Sequence, residues 1–249
     1  MSSLRISVVT AVYNRADTLP DALCSVSAQD FNGWEHIIQD GGSTDGTQQI
    51  IERLDHPAVS VVSESDNGIY DAINRGIARA TGDVIGLLHS DDFFTDNSVL
   101  SAVAEGFADP EVDGLFGDLD YVAAGDTSRI IRRWRSGAYD PANLRKGWMP
   151  PHPTLYLRRE VFEKFGLYDT SYQIAADYDA MLRYLVKGRI RLAYIPKVMI
   201  KMRVGGESNR SLGRILRKSR EDYRAIKSNG VGGLGTLAMK NLSKVRQFF

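Results

Sequence analysis

The chain has 249 residues, its 31 Lys and Arg balance 31 Asp and Glu, and 43% of its residues are apolar. These values are typical of a globular protein with one large domain, or a domain with a small appendage, and they exclude a disordered or collagen-like chain. The net charge of zero argues against nucleic acid as a partner, and the single cysteine, Cys24, excludes an intramolecular disulfide framework and fits a reducing compartment.

Strand-like and helix-like segments alternate through the first half of the chain. Short apolar, β-branched runs predict strands over residues 6–12, 36–39, 59–62 and 83–88. Apolar residues at helical spacing predict helices between them, the first capped by Asp17 and the others over residues 46–54 and 69–80. This alternation implies right-handed crossovers and a mostly parallel sheet flanked by helices, so the predicted fold class is α/β.

The second half of the chain is less regular. Residues 115–122 and 128–135 predict a strand pair, residues 154–157 another strand, and residues 177–186 a helix. From about Gly213 onward there are nine basic and two acidic residues, with apolar side chains between them. This basic tail fits either a membrane-surface element or a helix packed on the domain.

The N-terminal residues run directly into the first predicted strand without the apolar region of a signal peptide. No segment reaches the ~18 apolar residues that cross a bilayer. We therefore expect a cytoplasmic protein, with peripheral contact to the cytoplasmic face of a membrane as a further role of the tail.

Acidic residues follow three of the four strands predicted in the first half. In parallel sheets ligands bind beyond the carboxyl ends of the strands. Here those ends are residues 13–14, 40–43, 63–66 and 89–92. The sequence therefore predicts a binding site at this edge of the sheet.

Ser90, Asp91 and Asp92 directly follow a buried strand. Adjacent carboxylates repel unless a cation compensates them, and Mg²⁺ or Mn²⁺ does so through oxygen ligands while also binding substrate phosphates. The alternative is a helix N-cap, with Asp92 or Asp96 capping a helix near Val99.

Three further groups have both a functional and a structural interpretation. Asp40, before two glycines, could accept a hydrogen bond from a nucleobase or could hold a tight turn. Asp177 and Asp179 open a helix and should point away from each other, so that one caps the helix and the other faces a cleft. His152 lies between prolines that fix the backbone, and a lone His is more often structural than catalytic.

Several separated pieces together resemble family 2 glycosyltransferases of the GT-A fold, most closely the bacterial enzymes of exopolysaccharide and lipid-linked oligosaccharide synthesis. The resemblance covers about residues 5–205. The pieces, in order, are VTAVYN (9–14), QDGGSTDGT (39–47), SESDNGIYDA (63–72), ATGD (80–83), SDD (90–92), HP (152–153) and AADYD (175–179) with Arg183.

The resemblance implies a role for each matching residue. Asp92 would bind the divalent cofactor, Mn²⁺ or Mg²⁺, and Asp177 would be the catalytic base. His152 and Arg203 would lie on the acceptor side or near the phosphates. The implied nucleotide- and donor-binding residues are Thr10, Ala11, Tyr13, Asp40, Asp66, Tyr70, Asp71 and Asp91.

Two departures from the family pattern stand out. Ala176 replaces the common Glu of the Glu-Asp motif, and residues 201–206 contain no clear match to the third metal ligand.

The resemblance also implies a domain plan and a reaction. Residues 1–208 would form the GT-A domain, with a nucleotide-binding half (1–92) and an acceptor half (93–208), followed by a basic helical tail (209–249). The reaction would be an inverting transfer from a nucleotide-sugar, with UDP favoured, to a saccharide or lipid-linked acceptor.

Two alternatives remain open. A sugar-nucleotide pyrophosphorylase needs a Gly-rich phosphate loop after the first strand, where this chain has residues 13–16 without glycine. A catalytically degenerate nucleotide-sugar-binding module is the other alternative, and the presence of Asp92 and Asp177 argues against it.

Overall fold

The computed structural model describes residues 4–204 and 212–243. The strands in these ranges are β1 (Ile6–Val12), β2 (Trp34–Asp40), β3 (Val59–Ser63), β4 (Val84–Leu87), β5 (Asp92–Phe94), β6 (Gly114–Ala123), β7 (Asp126–Trp134), β8 (Tyr156–Arg158) and β9 (Leu192–Arg203). The helices are α1 (Leu19–Ser27), α2 (Thr47–Ile51), α3 (Ile69–Arg79), α4 (Val99–Gly106), α5 (Arg159–Phe165), α6 (Ala176–Leu182), α7 (Leu212–Ser228) and α8 (Leu234–Ser243). Short 3₁₀ helices span Pro141–Lys146 and His152–Thr154, and a π-helical segment, Arg183–Lys187, continues α6.

The strands form one sheet in the order β3-β2-β1-β4-β8-β6-β9-β5, with β7 paired to β6. The first four strands are parallel, as predicted, and the α/β fold class is confirmed. The other half is mixed, because β8 runs antiparallel to both of its neighbours and β5 antiparallel to β9, whereas β6 and β9 are parallel. The predicted strand pair of the second half is the β6–β7 hairpin.

Two glycines allow close contacts, one between α3 and β1 and one between the neighbouring strands β4 and β8. A Cβ on Gly76 in α3 would lie 2.4 Å from Val9 Cγ1, and one on Gly86 in β4 would lie 2.2 Å from Tyr156 Cε1. α3 packs on the sheet through Ala72, Ile73 and Ile77, and the absence of a side chain at Gly76 allows the close approach to β1, whose residues are all buried. This packing fixes the start of α3 next to the carboxyl ends of β1 and β2, where the site was predicted.

Two predicted caps differ from the observed helix starts. The residue preceding α1 is Thr18, not Asp17, and it makes no side-chain cap bond. The residue preceding α4 is Ser98, which makes no side-chain cap bond, so neither predicted capping residue caps this helix. Asp96 Oδ1 accepts from Ser98 N at 2.9 Å in the turn before α4, and Asp92 lies within β5.

The C-terminal helices pack on the domain. Ala225, Ile226 and Val231 are buried in the main hydrophobic cluster. Lys240 Nζ lies 2.7 Å from Asp222 Oδ1, and both side chains are almost fully buried. Among the described side chains of α7 and α8, the large apolar ones that are exposed are Ile215, Leu216, Leu234, Met239 and Leu242. No helix in the described ranges has the length and apolar content that a membrane crossing requires.

A buried histidine links the pH to the stability of the sheet. His36 in β2 is 2% exposed, its Nε2 lies 2.9 Å from Thr10 Oγ1, and burial lowers its pKa to about 4. Because this pKa is below the ordinary value, the neutral imidazole contributes stability above pH 6.5, which is lost as the pH falls towards about 4. Between pH ~7.5 and ~5 we expect the unfolding free energy to fall by about 2 kcal/mol more in the native protein than in His36→Gln. Urea unfolding at both pH values measures this difference, and parallel losses in the two proteins would contradict it.

Candidate active site

The acidic doublet lies where β5 begins, with Asp91 at the end of the short turn after β4 and Asp92 as the first residue of β5. Asp92 is fully buried, and its Oδ1 accepts from the backbone N–H of Arg203 at 3.3 Å. Its Oδ2 has no hydrogen-bond partner among the described residues. Burial, and next to it the charge of Asp91, raises the pKa of Asp92 well above its ordinary value. An unpartnered buried carboxylate oxygen is costly unless a cation compensates it.

This oxygen fits the predicted divalent cation. Mg²⁺ is commonly held by one or two carboxylates together with water and substrate phosphates, so a single carboxylate at this position is sufficient from the protein. Within residues 4–204 and 212–243 there is no group of three or more His, Cys, Asp or Glu arranged to hold a metal. Donor phosphate and water would supply further ligands, and residues 205–206 of the stretch without a matched third ligand lie outside the described residues.

Arg203 holds the turn of the doublet in place. Its Nη1 donates to the carbonyl oxygen of Asp91 at 2.7 Å, and its Nη2 contacts the carboxylate of Asp21 in α1. The guanidinium also lies 4.9 Å from the centre of the Phe93 ring. The predicted contact of Arg203 with phosphate or acceptor stays a prediction, because the side chain is buried and its contacts are within the chain.

Asp177 lies in the first turn of α6 and is partly exposed. Its Oδ1 is 3.3 Å from the hydroxyl of Tyr70, which donates to the carbonyl oxygen of Ile174 at 2.7 Å. Asp179 points elsewhere, since its Oδ1 accepts from Asn229 Nδ2 at 2.9 Å. The two carboxylates therefore separate as the helical spacing predicts, and only Asp177 faces Tyr70.

Two histidines connect Asp177 with the doublet. The rings of His89 and His152 are 5.9 Å apart. Burial lowers the pKa of His89, while the charges of Asp91 and Asp177 both act in the opposite direction. Burial also lowers the pKa of His152 to about 4, against the effect of Asp177. His152 Nε2 is 3.0 Å from the Tyr168 hydroxyl, and the Tyr168 ring stacks on Tyr70, with the ring centres 5.9 Å apart. Because the Tyr70 hydroxyl contacts Asp177, a continuous chain of side-chain contacts joins His89, next to the doublet, to Asp177.

His89 is the residue that the motif analysis missed. The available signal was its position, directly before the SDD motif at a strand end. His152, whose Nε2 lies 3.0 Å from the Tyr168 hydroxyl, is 8% exposed. It is thus held in the structural manner expected of a lone His, and its acceptor-side or phosphate role stays a prediction.

Three of the predicted nucleotide-binding segments meet at the ends of β1 and β2. A Cβ on Gly41 would lie 2.5 Å from Asp66 Oδ2 and 3.4 Å from Tyr13 Cδ2. Asp66 Oδ1 accepts from Gly68 N at 2.8 Å, and the Tyr13 ring is 58% exposed. The missing side chain at Gly41 lets the Asp66 carboxylate approach, which leaves an exposed aromatic ring beside a carboxylate.

The Asp40 carboxylate accepts hydrogen bonds from side chains around its own loop. It is fully buried and accepts from Ser43 Oγ and Ser63 Oγ, both at 2.5 Å, and from Gln48 Nε2 at 3.1 Å. Burial raises the pKa of Asp40, but these hydrogen bonds outweigh it and the net pKa is lowered. The tight-turn interpretation accounts for all these contacts, and a nucleobase contact of Asp40 stays a prediction.

Other predicted donor-binding residues also have contacts within the fold. The Thr10 side chain is buried against His36, and Ala11 is 8% exposed. Asp71 Oδ2 accepts from Asn67 N at 2.9 Å and pairs with Arg75 at 2.8 Å. Their donor contacts stay predictions.

A parallel half-sheet with carboxylates at its strand ends, followed by a mixed half, is the architecture of the GT-A fold. Residues 7–174 match the family described as Glycosyl transferase family 2. The chain belongs to this family and is a glycosyltransferase.

Relatives by sequence include mycobacterial glycosyltransferases. An uncharacterized glycosyltransferase of Mycobacterium tuberculosis is 32% identical over 187 residues, covering 73% of this chain and 69% of the relative. A PGL/p-HBAD biosynthesis glycosyltransferase of Mycobacterium bovis is 31% identical over 223 residues, covering 84% of this chain and 81% of the relative.

Two solved structures have a similar fold at low identity. TarS 1-349 of S. aureus in complex with UDP-GlcNAc gives a TM-score of 0.69 at 18% identity, covering 92% of this chain and 66% of that one. The mannosyltransferase PcManGT of Pyrobaculum calidifontis in complex with GDP-Man and Mn²⁺ gives 0.65 at 20% identity, covering 92% and 64%. The chain spans 39% of the longer TarS structure.

Proposed function

We propose that this glycosyltransferase transfers a sugar from a nucleotide-sugar, with UDP as the favoured nucleotide, to a hydroxyl of a saccharide or lipid-linked saccharide, with inversion at the anomeric carbon. The observation that carries the proposal is the continuous chain of side-chain contacts that leads from His89, directly before the doublet motif, through His152, Tyr168 and Tyr70 to Asp177. A donor diphosphate at the doublet and an acceptor hydroxyl at Asp177 then lie in one site.

The doublet would bind the diphosphate of the donor through a divalent cation. Asp92 Oδ2 would bind Mn²⁺ or Mg²⁺, and a bound divalent cation stabilises the negative charge that develops on a departing diphosphate. Asp91, Tyr13 and Asp66 would contact the sugar and the nucleoside. The Mn²⁺ and nucleotide-sugars in the complexes of similar fold support this assignment.

Asp177 would act as the general base. Its carboxylate accepts the proton of the acceptor hydroxyl while the acceptor oxygen forms a bond to the anomeric carbon, and the bond from that carbon to the diphosphate breaks. General-base assistance of this kind contributes roughly 10²–10⁴-fold to the rate. A single displacement inverts the anomeric centre, so an α-linked donor gives a β-glycoside.

A thermal-shift series tests the donor part of the proposal. A ligand that binds only the folded state raises its apparent stability, by about 2.7 kcal/mol at a hundred times its dissociation constant. We expect UDP-GlcNAc or UDP-glucose with Mn²⁺ to raise the melting temperature more than GDP-mannose with Mn²⁺, and more than Mn²⁺ alone. A larger shift with GDP-mannose would contradict the choice of UDP, and no shift with any donor would contradict the donor site.

The tail would bring the enzyme to an anionic membrane surface that carries the acceptor. Ile215 and Leu216 are exposed on α7, next to Arg217 and Lys218. Exposed apolar side chains among basic ones are typical of helices that bind anionic lipid surfaces. The tail cannot simply be deleted to test this, because α7 also supplies Ala225 and Ile226 to the core.

Leu216→Ser tests the membrane proposal without touching the core, since Leu216 is 72% exposed. We expect weaker sedimentation with vesicles that contain phosphatidylglycerol and no change with pure phosphatidylcholine vesicles. Val61→Ser, on the exposed side of β3, is the matched control and should bind like the native protein. Equal binding by all three proteins would contradict a membrane role of α7.

A further inference from the structure

The segment in front of the helix that carries Asp177 is held by a carboxylate from the C-terminal helices. Glu221 in α7 accepts hydrogen bonds from the backbone N–H groups of three consecutive residues, 173–175. The distances to Glu221 Oε2 are 2.8 Å from Ile174 N and 3.0 Å from Ala175 N, and Gln173 N is 3.1 Å from Oε1. α6 begins at the next residue, and Ala175 itself makes no side-chain cap bond.

These contacts fix the peptide groups around Ile174 from both sides. On one side Glu221 accepts from the N–H of Ile174, and on the other the carbonyl oxygen of Ile174 accepts from the Tyr70 hydroxyl at 2.7 Å. The same hydroxyl is 3.3 Å from Asp177 Oδ1. Hydrogen bonds to a charged acceptor are about twice as strong as neutral ones. The Glu221 carboxylate is therefore a strong anchor for the segment that positions both Tyr70 and Asp177.

The Tyr70 hydroxyl has one proton, and the shorter contact assigns it to the Ile174 carbonyl. Asp177 Oδ1 then keeps its lone pairs available instead of accepting a full hydrogen bond from Tyr70. If residues 173–175 shift, the Ile174 carbonyl moves, and the Tyr70 proton can turn to Asp177. Such a change would weaken Asp177 as a base without altering the strand ends of the donor site.

We propose that Glu221 is a positioning residue for the transfer reaction: it holds residues 173–175 so that the Ile174 carbonyl keeps the Tyr70 proton and Asp177 stays free and oriented towards the acceptor. This inference rests on the proposed function, because it takes Asp177 as the base. It gives the tail a role in the chemistry that is independent of any membrane contact.

Glu221 and the next residue, Asp222, have different contacts. Asp222 pairs with Lys240 in the core and contributes to the packing of α7 against α8. Glu221 is partly exposed, and its contacts are the backbone groups before α6. A change at Glu221 should therefore affect turnover more than folding.

Glu221→Gln is the test variant, since it keeps the shape and removes the charge. The probe is the nucleotide-sugar among UDP-GlcNAc, UDP-glucose and GDP-mannose that releases its nucleoside diphosphate fastest. We expect kcat to fall by about ten- to a hundredfold, because small displacements of a reacting group cost up to ~10²-fold, while the Kd of the nucleoside diphosphate changes less than about twofold. Glu163→Gln, an exposed glutamate paired with Arg159 on α5, is the matched control and should leave kcat unchanged.

A merely structural role predicts a different outcome. It would lower the melting temperature of Glu221→Gln while kcat per folded molecule stays at the native value, and this result would overturn the proposal. If Glu221→Gln does not fold, Glu221→Asp keeps the charge with a shorter reach, and an unchanged kcat in that variant would overturn the proposal equally.

The coupling to Tyr70 is tested by a double-mutant cycle. The losses in log kcat of Glu221→Gln and Tyr70→Phe should not add, because both substitutions disturb the same Ile174 contact, whereas additive losses would contradict the linkage. Asp177→Asn separates the two proposals. Full turnover in Asp177→Asn overturns the function proposed above, whereas an inactive Asp177→Asn together with a fully active Glu221→Gln overturns only the role of Glu221.

Discussion

Replacing Asp177 by Asn should reduce sugar transfer by about 10²–10⁴-fold, the range that a positioned general base contributes. The amide cannot accept the proton of the acceptor hydroxyl, but it has nearly the same shape and keeps the contact with Tyr70. In the proposed site the nucleoside diphosphate binds at the strand ends, so its affinity should stay within a few-fold of the native value. Steady-state kinetics, combined with calorimetric titration of UDP and Mn²⁺, measures both quantities.

Asp179→Asn is the matched control for this prediction. It changes the same residue type two positions along α6, but Asp179 contacts Asn229, Tyr172 and Arg183 and not Tyr70. We expect Asp179→Asn to lower the melting temperature and to reduce transfer much less than Asp177→Asn. Near-native turnover in Asp177→Asn would remove Asp177 from the role of base.

Replacing Asp92 by Asn should keep or raise the stability of the folded protein and at the same time abolish sugar transfer. The substitution exchanges a fully buried carboxylate with an unpartnered oxygen for a neutral amide, which removes the cost of burying a charge. The melting temperature of the protein without ligands should therefore stay the same or rise. In contrast, Mn²⁺ should no longer strengthen UDP binding, and transfer should be lost. Gains in stability with loss of function are common where active sites keep strained or uncompensated groups.

Thermal melts with and without Mn²⁺ and UDP measure both effects of Asp92→Asn in one experiment. Glu105→Gln, an exposed carboxylate on α4, is a suitable control, and its response to Mn²⁺ and UDP should match the native one. A variant of Asp92 that still binds UDP in an Mn²⁺-dependent manner would move the cation to another position.

The sequence predicts the first half of the fold well because its signals are local. Each of β1 to β4 is a short apolar run, and the crossover rule then orders them without further information. The roles of the doublet and Asp177 are likewise predicted from short local motifs. The insertion of β8 between β4 and β6 could not be predicted, because it depends on pairing between residues more than 40 positions apart, such as Ile85 and Leu157.

The buried contacts of the tail could not be predicted from the sequence, because charged residues in a basic segment are expected to be exposed to solvent. Lys240 and Asp222 look like solvated residues in a basic segment, yet they are buried as a pair against Tyr178. Glu221 could not be connected with residues 173–175 either, since the contact spans 46 to 48 positions along the chain. Only the packing of α7 on α6 brings these groups together.

The central claim is that a cation at Asp92 occupies the same site as Asp177, and the four histidines of the chain can report on it. His89 directly precedes the Ser90-Asp91-Asp92 motif and its ring is 5.9 Å from that of His152, whereas His56 stacks on Trp34 at the opposite end of β2. In NMR spectra of the imidazole groups with UDP, Mn²⁺ should broaden the signals of His89 and His152 and leave His56 sharp, with Mg²⁺ as the diamagnetic reference. Sharp signals from His89 and His152, or broadening that is strongest at His56, would contradict the account.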